Sequence, residues 1–425
     1  MNKNYSEVIQ FLESLQMMPK TMPGLQKIQK ALQLTDWFSS IDPQKVIVVA
    51  GTNGKGSTCA MLEALLNEAG QKVGFYSSPH LVTTTERIRL NQKSISEVDF
   101  VQLFTECEDL IICYELSHFE ALTFMAGHYY FSKKWDLKLD YVILEVGLGG
   151  SFDATNAFPH RYSVITPIDF DHTAILGKSI VEIAQNKFGI VHSKNTVIYQ
   201  KLTSEIEKVK NEVLYKTSSK GIAVQKSAVE VRKLNSYPHY FLRTAWGEVE
   251  LSLKGKRAGE NAMTALKVFE TLGFNPTEHL QSLSRVGWPG RMQKVSWPGL
   301  RCPLYLSGDH NPQGIRSLLE ILKDFKWRKL CLVIGIGVDK DSDEMLASLI
   351  QLHDIELYIT ETPFKGLKLT EYSQKYQDIA AGKNESVVHL ISQISHKAAE
   401  DDMVVVTGSL YLVGKVLKHI ADQLR

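Results

Sequence analysis

At 425 residues the chain is too long for one small core, and points to two domains or more that each bury an interior of their own. Hydrophobic residues make up 44%, which argues against extended disorder. With 48 basic against 47 acidic side chains the net charge is +1, so no global field draws the chain to nucleic acid or to a membrane, and an anionic ligand must be held by a local site.

The chain opens with "MNKNYSEVIQFLESLQ", where charged and apolar residues alternate at helical spacing without the apolar run of a signal peptide. No stretch approaches the roughly 18 apolar residues needed to span a bilayer. The five cysteines, Cys59, Cys107, Cys113, Cys302 and Cys331, show neither metal-ligand spacing nor a disulfide framework. A cytoplasmic protein is expected.

Short apolar runs predict strands at 46–50, 72–76, 141–146 and 162–166, with helical patterns between them. Continuous apolar strands alternating with helices imply an α/β fold with a mostly parallel sheet covered on both faces. Ligands of such sheets collect beyond the carboxyl ends of the strands. There the chain places "GTNGKGST" after the first strand, "SSPHL" after the second, "GLGGSFDATN" at the end of the third and "DFDH" after the fourth. Four segments therefore converge on one cleft.

From about 195 to 255 the pattern becomes irregular and more polar, which predicts a partly antiparallel extension of the first domain. A helix at 261–272 follows, and then "GWPGRMQKVSWPGLRCP", whose Pro and Gly content suits a connection between domains. A second alternating pattern begins with a strand at 304–307, a helix at 314–323 and a strand at 329–335, and closes with a strand at 403–407 and a helix at 410–421. The expected division is 1–296 and 297–425, the second a smaller α/β domain.

A strand, a Gly-rich turn and a helix beginning near Ser57 aim unpaired backbone N–H groups and the positive helix end at one point, which suits phosphate. Gly51, Gly54 and Gly56 permit close backbone approach, Lys55 can neutralise β- and γ-phosphates, and Ser57 or Thr58 can ligate Mg²⁺. A tight strand-to-helix turn alone would explain the glycines but not the Lys and Ser beside them. Glu145 ends an otherwise apolar strand, where its carboxylate can hold Mg²⁺ beside phosphates or serve as an edge charge. Asp171 and His172 form an acid–imidazole pair past the fourth strand, either structural or, at the edge that carries Ser57 and Glu145, a ligand pair for Mg²⁺ or Mn²⁺; "SSPHL" is either a Pro-bearing turn alone or brings the Ser78 hydroxyl to the same edge. "SHFEALTF" reads equally well as an amphipathic helix start with Phe119 and Phe124 in the core, and Lys187 reads as a solvated helix lysine.

Taken in order, "AGTNGKGST", "YSSPHL" with "ERIRLN", "HFEALT", "LEVGLGGSFDATN", "DFDHTAILG", "NKFGIV", "ENAMTAL", "PGRMQ", "DHNPQG" and "TGSLYLVG" resemble folylpolyglutamate synthase/dihydrofolate synthase of the Mur ligase superfamily over nearly the whole chain. The extra Gly56 after Lys55 is that family's spelling of its phosphate loop. The resemblance implies an N-terminal P-loop domain of Mur ligase type, a C-terminal Rossmann-like domain, and an ATP-dependent ligase joining L-glutamate to dihydropteroate and to reduced folates. Carried over position by position, Gly54, Lys55, Gly56, Ser57 and Thr58 would hold the ATP phosphates, and Asn261, Arg291, Ser307 and His310 would contact the nucleotide. Ser57, Ser78, Glu145 and His172 would bind Mg²⁺. Lys187 falls where family members carry a carbamylated lysine, and His118, Phe119, Glu120, Phe152, Asp153 and Ala154 would line the pterin pocket.

Lys55, Lys187, His172 and Arg291 are the expected catalytic set, in a monomer with small-molecule substrates and no nucleic-acid or membrane partner. Three places depart from the family pattern: Ser151, Arg257 with Ala258, and Ser307, which stands where an Asp is common and has Asp309 two positions on. Those departures keep open a Mur-like amide ligase for another carboxylate, or a protein that binds ATP or folate without turnover.

Overall fold

The apolar runs of the N-terminal half form the central strands of one large sheet in the computed structural model, which describes residues 3–16, 24–226, 228–234 and 237–423. Its strands are β1 Val46–Ala50, β2 Val73–Tyr76, β3 Ile88–Leu90, β4 Lys93–Ser94, β5 Tyr141–Glu145, β6 Tyr162–Ile165, β7 Thr196–Tyr199 and β8 Lys220–Ala223, in the order β4-β3-β2-β5-β1-β6-β7-β8. From β2 to β8 neighbours run parallel, while β3 and β4 pair antiparallel at one edge. Every residue of "VIVVA" in β1 is buried, as a central strand covered on both faces requires. The register sets Val49 beside Glu145 on one side and Val164 on the other, so the carboxyl ends of β1, β5 and β6 lie level.

The helices of this part include α1 Tyr5–Ser14, α2 Gln26–Gln33, α3 Lys55–Glu68, α4 Glu97–Cys113, α5 His118–Phe131, α6 Thr173–Leu176, α7 Ile180–Phe188 and α8 Ser204–Thr217. Met1 and Asn2 of the predicted N-terminal helical stretch lie outside the described residues. α1 starts at a reciprocal cap, in which Asn4 accepts from Glu7 N and Glu7 accepts from Asn4 N. Helices α1, α2, α4 and α5 share one apolar core with β1, β2 and β5, in which Trp37, Phe124 and Phe158 are almost wholly buried.

The segment from 195 to 255 is more regular than its composition suggests. β7, α8 and β8 continue the parallel sheet, and their signal is weak because β7 is four residues long and β8 is a largely exposed edge. The irregular remainder, β9 Ala228–Leu234, β10 Tyr237–Thr244 and β11 Gly247–Leu251, forms a separate three-stranded sheet. The helix expected at 261–272 is α9 Lys256–Thr271.

The chain divides into two compact units, and not at a single linker. The first holds Met1–Ala228, Thr244–Val249 and Gly259–Val286; the second holds Val229–Arg243, Glu250–Ala258 and Gly287–Arg425. Residues before 297 join the second unit through specific contacts. β12 Gln293–Val295 is the antiparallel edge strand of its sheet, Tyr240 Oη donates to Asp324 at 3.0 Å, and Gly255 lies so close to Ile321 that a Cβ there would meet it at 2.6 Å. The remaining strands of the second unit are β13 Leu304–Leu306, β14 Leu330–Ile334, β15 Ile355–Ile359, β16 Gly382–Lys383 and β17 Met403–Thr407, in the order β12-β13-β17-β14-β15-β16, all parallel after β12. Helix α10 Pro312–Leu322 follows β13, and α11 Leu410–Gln423 follows β17. No helix among the described residues is long and apolar enough to cross a membrane.

Candidate active site

Helix α3 leaves the glycine-rich turn with no side chain capping its N-terminus. Its first internal bond runs from Thr58 N to Gly54 O at 2.9 Å, so the amides just before Thr58 stand ahead of the ladder. Gly54 adopts a φ of 89°, and a Cβ on it would meet Asn261 Oδ1 at 2.5 Å. Glycine is thus needed both for the left-handed backbone and for the close approach of Asn261. Ser57 is buried, and Thr58 Oγ1 is buried with no hydrogen-bond partner. An uncapped helix end beside an unspent hydroxyl fits a phosphate ligand.

Two lysines meet the same carbonyl oxygen in this turn. Lys55 Nζ donates to Gly51 O at 3.1 Å and Thr52 O at 3.2 Å, and Lys187 Nζ donates to Gly51 O at 2.9 Å. Lys187 is not the solvated lysine its helix pattern suggests, since it is only 4% exposed. Burial, followed by repulsion from Lys55, lowers its pKa to about 7, against the opposing pull of Asp171 and Asp153. The run "GLGG" explains how α7 brings Lys187 so deep. A Cβ on Gly149 would meet Asn186 Oδ1 at 2.5 Å and one on Gly150 would meet Asn186 O at 2.7 Å, while Ser151 N and Oγ both donate to Asn186 O, at 2.8 and 3.0 Å. The turn after β5 therefore clamps the end of α7.

Glu145 is 5% exposed at the end of β5 and accepts from Ser78 N at 3.2 Å, which joins the second and third predicted segments. The fourth is stitched to the phosphate turn by Thr52, whose Oγ1 donates to Asp169 O at 2.9 Å and whose N donates to Pro167 O at 2.8 Å. His172 precedes α6; its backbone N donates to Asp171 Oδ1 at 2.9 Å, and its Nε2 lies 3.8 Å from the same oxygen. Among the described residues no three His, Cys, Asp or Glu side chains gather into a metal cage. One carboxylate, hydroxyls and an imidazole nevertheless suit Mg²⁺, which commonly keeps waters and phosphate oxygens and takes few protein ligands.

On the proposed substrate side, Phe119 packs against Gly147, where a Cβ would lie 2.6 Å from Phe119 Cζ and 3.2 Å from Ser78 Oγ. This draws the "HFEALT", "LEVGLGG" and "SSPHL" segments to one place. Phe152 is 45% exposed and Ala154 is buried. The polar members of the set are engaged elsewhere: His118 Nδ1 pairs with Leu12 O at 2.8 Å, and Glu120 accepts from Ser117 N and Oγ at 2.9 and 2.7 Å as a helix cap. Asp153 accepts four bonds, from Gly147 N at 3.0 Å and Leu148 N at 2.9 Å on one oxygen and from Thr155 N at 3.0 Å and Thr155 Oγ1 at 2.6 Å on the other. Burial still holds its pKa above the usual carboxylate value.

In the second unit, Arg291 Nη1 donates to Gly308 O at 3.3 Å, His310 Nδ1 pairs with the same oxygen at 2.9 Å, and Ser307 Oγ donates to Asp309 Oδ2 at 2.6 Å. The structure thus gathers Arg291, Ser307 and His310 around one loop. Two further residues, which the sequence reading does not name, make polar contacts with these segments. Gln200 Nε2 donates to Thr264 Oγ1 at 2.7 Å and Asn261 Oδ1 at 3.4 Å, and so holds the residue that covers Gly54; its signal was its place just past β7. Buried Arg87 donates from Nε to His80 Nδ1 at 2.9 Å, and burial followed by this cation lowers the His80 pKa to about 3.

With this geometry in place, comparison with known proteins gives a consistent result. Residues 290–410 match the family model "Mur ligase, glutamate ligase domain". The chain is 34% identical over 385 residues to the dihydrofolate synthase/folylpolyglutamate synthase of Escherichia coli K12, covering 88% of this chain and 86% of that protein. Its fold is similar to Escherichia coli FolC in complex with DHPP and ADP, with a TM-score of 0.83, 29% identity and coverage of 100% of this chain and 99% of that one. It is likewise similar to Mycobacterium tuberculosis folylpolyglutamate synthase complexed with ADP and AMPPCP, with a TM-score of 0.82, 26% identity and 97% of each chain covered.

Proposed function

The chain belongs to the dihydrofolate synthase/folylpolyglutamate synthase family of ATP-dependent glutamate ligases, and from that premise we propose how its own residues divide the reaction. It joins L-glutamate to dihydropteroate and to reduced folates. A carboxylate oxygen of the pterin substrate attacks the γ-phosphorus of ATP, forming an acyl phosphate and releasing ADP. The glutamate amine then attacks the acyl carbon, the amide forms, and phosphate leaves with the carbon–oxygen bond broken. No protein nucleophile is needed, because phosphoryl transfer depends on alignment and charge neutralisation.

The observation that carries this reading is the convergence of Lys55 and Lys187 on the Gly51 carbonyl, beside the uncapped start of α3. The helix amides and Lys55 bind the β- and γ-phosphates. Ser57, Ser78, Glu145 and His172 would hold Mg²⁺, which would supply charge neutralisation at the phosphates. A Lys187 pKa near 7 leaves neutral amine available at neutral pH. That amine can add to CO₂ and lose a proton to give a carbamate, which replaces repulsion from Lys55 with attraction. Phe119, Phe152 and Ala154 line the pterin pocket, while His118, Glu120 and Asp153 fix the backbone that shapes it. Arg291 and His310 contact the nucleotide. The protein works as a monomer in the cytoplasm.

ADP release with each substrate omitted in turn tests the reading. Release should require both a pterin carboxylate and glutamate; release indifferent to either one overturns it.

A further inference from the structure

Two arginines stand two positions apart in "ERIRLN", and the fold treats them differently. Arg89 Nη2 lies 2.9 Å from Glu63 Oε2, a carboxylate buried on α3, so its charge is matched. Arg87 is only 7% exposed, and among the described residues no Asp or Glu pairs with it. The stretches outside the described residues contain no Asp or Glu either. Glu86, its neighbour in the chain, is spent on the backbone, where its oxygens accept from Leu81 N at 2.8 Å, Val82 N at 2.9 Å and Thr83 N at 2.8 Å. A buried charge without a partner is costly, so one that the fold keeps implies a partner that arrives.

The groups around Arg87 are neutral. Nε donates to His80 Nδ1 at 2.9 Å, and burial followed by the guanidinium charge keeps that imidazole unprotonated. His118 is lowered in the same direction, by burial first and, against its bond to Leu12 O, by Arg87. Tyr76 Oη, 3.1 Å from Thr123 Oγ1, stays a phenol because burial raises its pKa to about 12. Asp153, whose charge also reaches Tyr76, gives its oxygens to the donors of its own turn. Of the five N–H donors of the guanidinium, one is taken by His80 and Tyr76 stands beside it, which leaves donors for a planar acceptor.

All of these residues belong to the first unit. Arg87 O accepts from Ser77 N at 2.9 Å, at the end of β2. The Tyr76 ring lies 6.0 Å from that of Phe119, and Phe119 packs at Gly147 near Ser78 Oγ. The unpaired cation is therefore at the Phe119 wall of the proposed pterin pocket. The phosphates of ATP are provided for at Lys55 and the start of α3, so the anion that remains is a carboxylate, which a guanidinium grips through two parallel N–H bonds. Beside an aromatic wall the aromatic acid fits better than glutamate, which brings no ring.

We propose that Arg87 binds the carboxylate of the pterin substrate, with His80 as its positioning residue. This rests on the reading of the chain as a ligase acting on dihydropteroate. The same carboxylate ends as a neutral amide, so the contact separates substrate from product.

Calorimetric binding of dihydropteroate to the full chain with Mg²⁺–ADP present, compared with the carboxamide of the same compound, tests it without any turnover. The unmodified protein should prefer the acid by roughly tenfold to a hundredfold, as expected for a bond between charged partners. Arg87→Met should remove most of that preference by weakening the acid alone. Arg87→Lys keeps the charge but not the paired donors, and should lower the preference part of the way. A preference near one in the unmodified protein, an unchanged preference in either variant, or equal weakening of both compounds overturns the proposal. L-Glutamate binding separates the other source of a carboxylate: if Arg87→Lys weakens L-glutamate and leaves the acid unchanged, Arg87 serves the amino acid and the proposal falls. If the unmodified protein binds neither pterin compound, the ligase reading falls first and takes the proposal with it.

Discussion

Replacing Lys187 with Met tests whether the phosphate turn harbours an amine whose charge is penalised by burial. The folded pKa, about 7, lies below the ordinary 10.5, so unfolding takes up a proton between those values and stability rises with pH across that window. Below about pH 7 the cost of the buried charge is present in full. Between about pH 6 and about pH 8.5 roughly one and a half pKa units of that cost are relieved, or about 2 kcal/mol at about 1.4 kcal/mol per unit. Lys187→Met removes the titration and also the bond to Gly51 O, a loss of about 1 kcal/mol that does not depend on pH. Urea unfolding in CO₂-free buffer, which keeps the amine uncarbamylated, should therefore rank Lys187→Met more favourably against the unmodified protein at the lower pH, by about 2 kcal/mol. An identical offset at both pH values, or one of opposite sign, refutes the reasoning.

Gly54→Ala and Gly70→Ala both place a side chain at positive φ, 89° and 78°, but only the first would meet Asn261, and nothing lies within 4 Å of the second. Gly54→Ala should lose about 1 kcal/mol more stability in urea and weaken ADP binding; equal losses would reject the contact. Asp153→Asn sets an amide against the donors of Gly147, Leu148 and Thr155, and should cost about 2–4 kcal/mol, read as a lowered melting temperature. Gln200→Ala frees Asn261 and should raise KM for ATP while kcat at saturation holds; a fall in kcat at constant KM would count against this role.

The central strands and the convergence of four segments were legible because their signals are local. "VIVVA" reads as a buried strand from its own residues, and "GTNGKGST" carries its own turn, helix start and cation. What depended on distant chain was not legible. Lys187 looks solvated on its helix until Gly149, Gly150 and Ser151 press α7 onto the sheet. Glu120 and Asp153 look available until Ser117 and the turn after β5 occupy their oxygens. Ser307 looks available to a nucleotide at the end of its predicted strand until Asp309 takes its hydroxyl proton. That residues 229–243 and 250–258 pack with the second unit was not legible either, because contacts such as Tyr240 with Asp324 span some eighty positions that no local pattern links.

The reaction itself is tested most directly with dihydropteroate whose carboxylate carries heavy oxygen, incubated with ATP, glutamate and the enzyme. An acyl phosphate transfers one labelled oxygen to inorganic phosphate and leaves the other in the amide. Phosphate free of label, with amide product formed, contradicts it.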